Sequence, residues 1–293
     1  MDLEQVSSEL KRRAGIHAAG HRARAVSGGS IHRAYYLPTD TRPLFVKINR
    51  ADALGVFEAE ADGLGALRAA QAVAVPDTVD VGCAGATAYL ALDWIETAAK
   101  SAAAERSLGA ALGRQHRVTA ERFGYHRDNT IGATPQRNTP MSSWPEFLRA
   151  ERLGFQLRLA AERGLPREQL DQGRRLLGRL ERFFEDHQPA ASLLHGDLWS
   201  GNWASDAAGR PYIYDPAVYY GDREADLAMT RLFGGFGEAF YAAYETEWPL
   251  ATGWQARVEL YNLYHLLNHF NLFGASYLGR TARSLAGLVR ACG

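Results

Sequence analysis

The early part of the chain reads as short strands, and apolar residues recur at helical spacing through much of the rest. In AVSGGSIHRAYYLP a Gly-Gly turn precedes a β-prone run over residues 34–37. TDTRP breaks the chain, and LFVKIN follows as a second short strand. FEAEADGLGALRAA then sets Phe57, Ala61, Leu64 and Leu67 on one face, which predicts an amphipathic helix. Pro76 opens VPDTVDVG, and TAYLALDWIE gives a further apolar strand. After Glu96 the character changes. The segments AAKSAAAERSLGAALGRQHRVTAERF, EFLRAERLGFQLRLAAERG and EQLDQGRRLLGRLERFFEDH all carry helical periodicity. ARVELYNLYHLLNHFNLFGASYLGR reads as one more helix pair. The pattern predicts an α+β protein with a β-rich N-terminal lobe over residues 1–96 and a mostly helical C-terminal lobe over residues 97–293. A hinge at residues 93–96 joins them.

Composition narrows the function classes. The 293 residues are long enough for two lobes with cores of their own. Basic and acidic residues both number 33, so no broad positive footprint for nucleic acid is expected. The two cysteines, Cys83 and Cys292, form no C-x-x-C pair, which suits a reducing compartment. The charged start MDLEQVSSELKRRAG lacks the apolar run of a signal peptide. No window approaches the roughly 18 consecutive apolar residues of a membrane span. The expectation is a cytoplasmic protein.

The most informative segment is LLHGDLWSGN, residues 193–202, where an apolar run ends in His195-Gly196-Asp197 and Asn202 follows Asp197 by five. Protein kinases use that Asp-to-Asn spacing in their catalytic loop. The Asp accepts the proton of the attacking hydroxyl, and the Asn holds a metal that bridges the phosphates. PYIYDP places Asp215 at the end of a strand-like run, where a carboxylate suits Mg²⁺ as its second ligand. The plainer reading of Asp215 is a turn residue before Pro216.

In LFVKIN, Lys47 sits among apolar strand residues, as does the strand lysine that grips phosphates in kinases. Glu60 falls inside the apolar stripe of the next helix, whereas Glu58 lies roughly 100° away from Phe57 on the wheel. An acid on a buried face needs a partner, and Lys47 is the candidate. Gly28, Gly29 and Ser30 in SGGSIHRAYY fit a flap whose N–H groups approach phosphate, although a lone Gly-Gly is more often a tight hairpin.

Together these residues resemble the aminoglycoside phosphotransferase and choline kinase superfamily, which shares the protein-kinase fold. The closer resemblance is to the fructosamine kinase (ketosamine-3-kinase) family. It is carried by SGGSIHRAYYL, FVKIN, FEAEADGLGAL, FGYHRDNTIG, LLHGDLWSGN and YDPAVYYGDREADLAM. The resemblance implies a two-lobed protein-kinase-like fold and ATP- and Mg²⁺-dependent phosphorylation of a sugar hydroxyl on a ketosamine. The acceptor would be a small sugar-amine adduct or a glycated protein lysine, and the modification would destabilise the adduct. By motif, Asp197 is implied as base, Asn202 and Asp215 as metal ligands, Lys47 as phosphate contact and Glu60 as its positioner. Asp93, Trp94 and Ile95 would present backbone groups to adenine. Some family members carry a redox-sensitive Cys in the Gly-rich loop; here that loop has Ser30 and His32, so no such switch is expected.

Other residues keep two readings. Trp199 and Trp203 flank the catalytic loop and either pack against a sugar face or fill a core. Asp128 and Asn129 line an acceptor pocket or make a turn. Asp222 and Asp226 brace the catalytic region, or Asp222 caps a helix. His116, His126, His265 and His269 show no HExxH-type spacing, so no zinc site is assigned. The competing functions are a kinase of another small alcohol, such as an aminoglycoside or choline, and a pseudokinase-like binding protein.

Overall fold

The computed structural model describes residues 2–26 and 31–293. Gly28, Gly29 and Ser30 of the expected phosphate flap therefore lie outside the described residues.

Helix α1 (Leu3–Ala14) opens the chain; Asp2 caps it by accepting from the Glu4 and Gln5 N–H groups, and Gly15 closes it at φ +70°. Strands β1 (Arg24–Val26), β2 (Arg33–Leu37) and β3 (Leu44–Arg50) follow, then helix α2 (Leu54–Ala69) and strands β4 (Thr78–Ala84) and β5 (Thr87–Asp93). The five strands form one antiparallel sheet in the order β1-β2-β3-β5-β4. Side chains on β3 alternate between faces. Leu44, Val46 and Ile48 join Val6 and Leu10 of α1 in one core. Lys47, out of step with them, is turned toward α2.

The remaining elements are α3 (Ala102–His116), β6 (Thr119–Ala120), β7 (Asn129–Ile131), β8 (Thr134–Gln136), α4 (Trp144–Phe147), α5 (Gly154–Glu162), α6 (Arg167–Leu177) and β9 (Ala191–Leu194). Then come β10 (Trp203–Ser205), β11 (Pro211–Ile213), β12 (Tyr219–Gly221), α7 (Glu224–Leu232), α8 (Glu238–Glu247), α9 (Trp254–Phe273) and α10 (Leu278–Ala291). Helices α4 and α5 are joined through a π-helical turn, Leu148–Leu153, which a 3.6-residue reading of the sequence does not reveal. Helix α1 also went unread, although Asp2 and Gly15 supply its start and stop signals.

By internal contacts the chain forms two compact units, Met1–Ala104 with Trp203–Pro216, and Glu105–Asn202 with Ala217–Gly293. A single cut between residues 96 and 97 does not describe them. The β10–β11 hairpin returns to the first unit because Ala98 N–H donates to Ser205 O at 2.7 Å and Ile213 N–H donates to Ala74 O at 3.0 Å. In the second unit the three-stranded order β12-β9-β6 carries the catalytic-loop segment on its central strand. Its core packs Phe147, Leu194, Tyr219, Leu263 and Leu285. Among the described residues no helix is long and apolar enough to cross a membrane.

Candidate active site

In the first unit, β3 and α2 bring Lys47 and Glu60 together: Lys47 Nζ donates to Glu60 Oε1 at 2.7 Å, with both side chains nearly buried. Glu58, two residues back, is exposed. The β11 end delivers a second carboxylate, because Lys47 Nζ also donates to Asp215 Oδ1. Burial alone would push the Lys47 ammonium down, but Asp215 and Glu60 outweigh it and the net shift is upward. Glu60 moves up, chiefly through burial, with Lys47 opposing and the Asp215 charge adding. Asp215 takes φ +57°, the left-handed region, immediately before a proline. That combination is disfavoured by the following ring, and such strain clusters at functional positions. His32 packs its ring 4.8 Å from that of Phe57, and its Nδ1 pairs with Asn49 Nδ2 at 2.9 Å.

The segment after β5 has its backbone donors partly committed. Asp93 N–H donates to Asp77 O at 2.9 Å and Trp94 N–H donates to Pro43 O at 3.1 Å. The N–H groups of Ile95 and Glu96 carry no hydrogen bond among the described residues. The Trp94 ring meets Tyr36 edge-on at 4.9 Å, which fixes the strand end.

In the second unit, buried strand β9 runs into His195, Gly196 and Asp197. Gly196 sits at φ +83°, and a Cβ there would lie 2.0 Å from Ala217 O, so only glycine fits. The loop is braced from below by Asp226 of α7, whose carboxylate accepts from His195 N–H at 2.7 Å, Gly196 N–H at 2.8 Å and His116 Nε2 at 3.1 Å. Burial would push this carboxyl up, but the His116 hydrogen bond and charge, His195 and the Gly196 N–H together hold it below its ordinary value. Asn202 donates Nδ2 to Asp197 O at 2.9 Å, which leaves its Oδ1 without a hydrogen bond among the described residues. A carboxylate such as Asp215 and an amide oxygen such as Asn202 Oδ1 are hard oxygen donors of the kind that Mg²⁺ takes. Each, within its own unit, is a donor whose chemistry fits that ion.

Asp222 accepts from Glu224 N–H at 3.0 Å, as a helix cap does, and also from His187 Nε2 at 2.7 Å. Glu224 is gripped by Arg257 through two bonds of 2.7 and 2.9 Å. Ligand atoms of His187, Asp222 and Glu224 lie within 4.8 Å of one another, but Arg257 and Tyr261 already occupy their acceptors. This cluster ties the start of α7 to α9 and to His187.

The flanking candidates separate. Trp199 is 38% exposed and its ring lies over Gly201, where a Cβ would come within 2.3 Å of it. Trp203 is 1% exposed, with Lys100 Nζ 4.5 Å from its ring centroid, so its faces are taken up by packing. Asp128 is exposed and accepts from Asn138 N–H at 2.8 Å. Asn129 is consumed internally: Nδ2 donates to Val218 O at 2.8 Å, and Oδ1 accepts from Gln136 at 2.8 Å and Asn138 at 3.1 Å. Sequence reasoning missed the polar residues that serve this loop, Gln136, Asn138 and Arg152, because their partners lie on other elements.

A β-sheet unit presenting a Lys–Glu–Asp cluster and a helical unit presenting a braced Asp–Asn loop define a phosphotransferase of protein-kinase-like fold. An aminoglycoside phosphotransferase superposes with a TM-score of 0.67 at 16% identity over 99% of both chains, which shows the fold. A structure from Haemophilus somnus assigned as a fructosamine-3-kinase superposes with a TM-score of 0.89 at 26% identity over 97% of both chains. The fructosamine kinase family model matches residues 2–291. A probable ketoamine kinase from Synechocystis is 44% identical over 272 residues, covering 91% of this chain and 90% of that protein. A protein-ribulosamine 3-kinase of Arabidopsis thaliana chloroplasts is 41% identical over 256 residues, covering 86% of this chain and 78% of that one. The chain belongs to the fructosamine kinase family.

Proposed function

We propose that the protein transfers the γ-phosphoryl group of ATP to a sugar hydroxyl of ketosamines, both small sugar-amine adducts and glycated protein lysines, and so promotes their breakdown. The names of its relatives support the acceptor class. The observation that carries the chemistry is the Asp197–Asn202 loop, held by Asp226 and bonded so that Asn202 Oδ1 is left over.

In this reading Asp197 accepts the proton of the attacking hydroxyl as its oxygen bonds the γ-phosphorus and the bond to the ADP oxygen breaks. Lys47, oriented by Glu60, contacts the phosphates, and Ile95 N–H with the Asp93–Trp94 backbone meets the adenine. Asn202 and Asp215 would hold magnesium, which would neutralise phosphate charge. Trp199 offers its exposed ring to the acceptor, and Asp128 its carboxylate. A cytoplasmic setting is part of the proposal and is consistent with Cys83 and Cys292 both being free.

The acceptor preference has a physical support. An aminoglycoside carries several ammonium groups and favours a pocket dense in carboxylates. In LLHGDLWSGN and YDPAVYYGDREADLAM the acids beyond Asp197 and Asp215 are Asp222, Glu224 and Asp226, each already bonded within the second unit, so that Asp128 is the exposed acid this reading offers to the acceptor. The test compares kcat/KM for ribulosamine, fructosamine, a kanamycin-type aminoglycoside and choline at fixed ATP and magnesium. Ketosamines are expected to lead by about tenfold or more. An equal lead for aminoglycoside or choline would replace the acceptor assignment. Magnesium removal is expected to abolish turnover, and Asp215→Asn to raise the magnesium needed for half-maximal rate.

A further inference from the structure

Arg152 sits in the π-helical turn between α4 and α5 and is 1% exposed. Among the described residues no carboxylate pairs with it; the neighbouring Glu151 is turned to Arg137 at 3.5 Å. Its charge is met by aromatic faces and neutral oxygens instead. The guanidinium carbon lies 4.0 Å from the Tyr219 ring centroid, 4.6 Å from that of Phe147 and 5.7 Å from that of Tyr264. Nη1 donates to Arg137 O at 2.6 Å and Glu151 O at 3.1 Å, Nη2 donates to Asn138 Oδ1 at 2.7 Å, and Nε has no partner. A buried charge without a counterion is expensive, and apolar replacements of buried ions are often neutral or stabilising. Packing alone therefore does not account for an arginine at this place.

Its contacts lead to one loop. Asn138 accepts from Arg152, donates its N–H to Asp128 and its side-chain amide to Asn129 and Arg127 O. Gln136 and Asn129 donate to Ala217 O and Val218 O, and Ala217 N–H donates to His195 O at 2.8 Å. Tyr264 ties in through its hydroxyl to Gln136 Oε1 at 2.7 Å. The stretch 127–138, which includes exposed Asp128, is thus hung between Arg152 and the segment that leads into β12.

We propose that Arg152 is a positioning residue for the acceptor: by clamping Arg137 and Asn138 it fixes the loop that presents Asp128. The proposal rests on the ketosamine kinase reading above. Arginine suits the task because its planar fork fixes two oxygens at once, whereas lysine offers a single point charge.

The experiment measures KM for ketosamine, KM for MgATP and kcat in Arg152→Met, Arg152→Lys and Asn138→Ala, with hydrogen exchange of residues 126–139. Misplacing a binding group by about 1 Å costs up to roughly 10²-fold, so Arg152→Met should raise the acceptor KM by about tenfold or more. KM for MgATP should stay within about twofold, and Arg152→Lys should recover only part of the loss. Exchange should quicken in 126–139 and not across the helices of the second unit. An acceptor KM within about twofold of wild type, or a MgATP KM raised as much as that for acceptor, overturns the proposal. If Arg152→Met does not fold, Arg152→Lys and Asn138→Ala carry the same comparison. Should the wild-type protein leave ketosamines untouched, the functional reading fails. The exchange arm still decides, since unchanged protection in 126–139 refutes the clamp.

Discussion

In the proposed mechanism Asp197, Lys47 and Glu60 each have one chemical role, and each role can be removed singly. A positioned base contributes on the order of 10²–10⁴ in rate, so Asp197→Asn should lose turnover by about that factor while ATP binding persists. Wild-type turnover in this variant, measured with the best ketosamine, would remove Asp197 from the role. Lys47 and Glu60 share one ion pair at 2.7 Å, so their losses overlap. Lys47→Ala and Glu60→Ala should each lower kcat/KM, and the double variant should lose less than the sum of the two free energies. Glu58→Ala should be near neutral; a larger effect there than at Glu60 would contradict the helix face. These side chains were legible in the sequence because each rests on a local rule: a five-residue spacing, a strand position, an acid within an apolar stripe. The link from Lys47 to Asp215 was not legible, since 168 residues separate them.

At the scale of elements, α7 supports the catalytic loop through Asp226, and that support titrates. The folded carboxyl is held below its ordinary value of 3.8. Its contribution to stability is therefore fully present above the unfolded pKa and is lost as pH falls through the folded one. Asp226→Asn should melt below wild type at neutral pH, and the gap should shrink as pH drops below about 4, because wild type then loses the same charge. Thermal melts from pH 7 to pH 3 measure it; a constant gap would mean that the ionised form is not what matters. Helices with long apolar repeats, such as α2 and α9, could be read from the chain. The short strands β6, β7 and β8 could not: β6 depends on a distant partner, Ser192 for Thr119, while β7 and β8 are three-residue strands of one tight hairpin, Asn129 opposite Gln136 across Gly132, too short to show an alternating pattern. The π-helical turn escaped for a related reason. One added residue per turn leaves the apolar spacing on either side intact.

Across the whole molecule, the two-unit character could be read from the shift in composition near Glu96, but the return of residues 203–216 to the first unit could not. Two backbone bonds, at Ala98 and Ala74, carry that return. They deliver Asp215 to Lys47, so a hairpin that looks like a catalytic-lobe insertion completes the β-rich unit. The Lys47 cluster has a consequence for a protein whose proposed acceptors arise when sugars condense with amines. That condensation needs an uncharged, accessible amine. The chain has three lysines. Lys11 and Lys100 are exposed, whereas Lys47 is buried and held protonated between two carboxylates. The one lysine that this chemistry must keep is thereby the one that sugar attacks least. After incubation with ribose, peptide mapping by mass spectrometry should find adducts at Lys11 and Lys100 and none at Lys47 in folded protein. Early adducts at Lys47 would show that the ion-paired cluster opens often enough to be poisoned by the damage the enzyme removes.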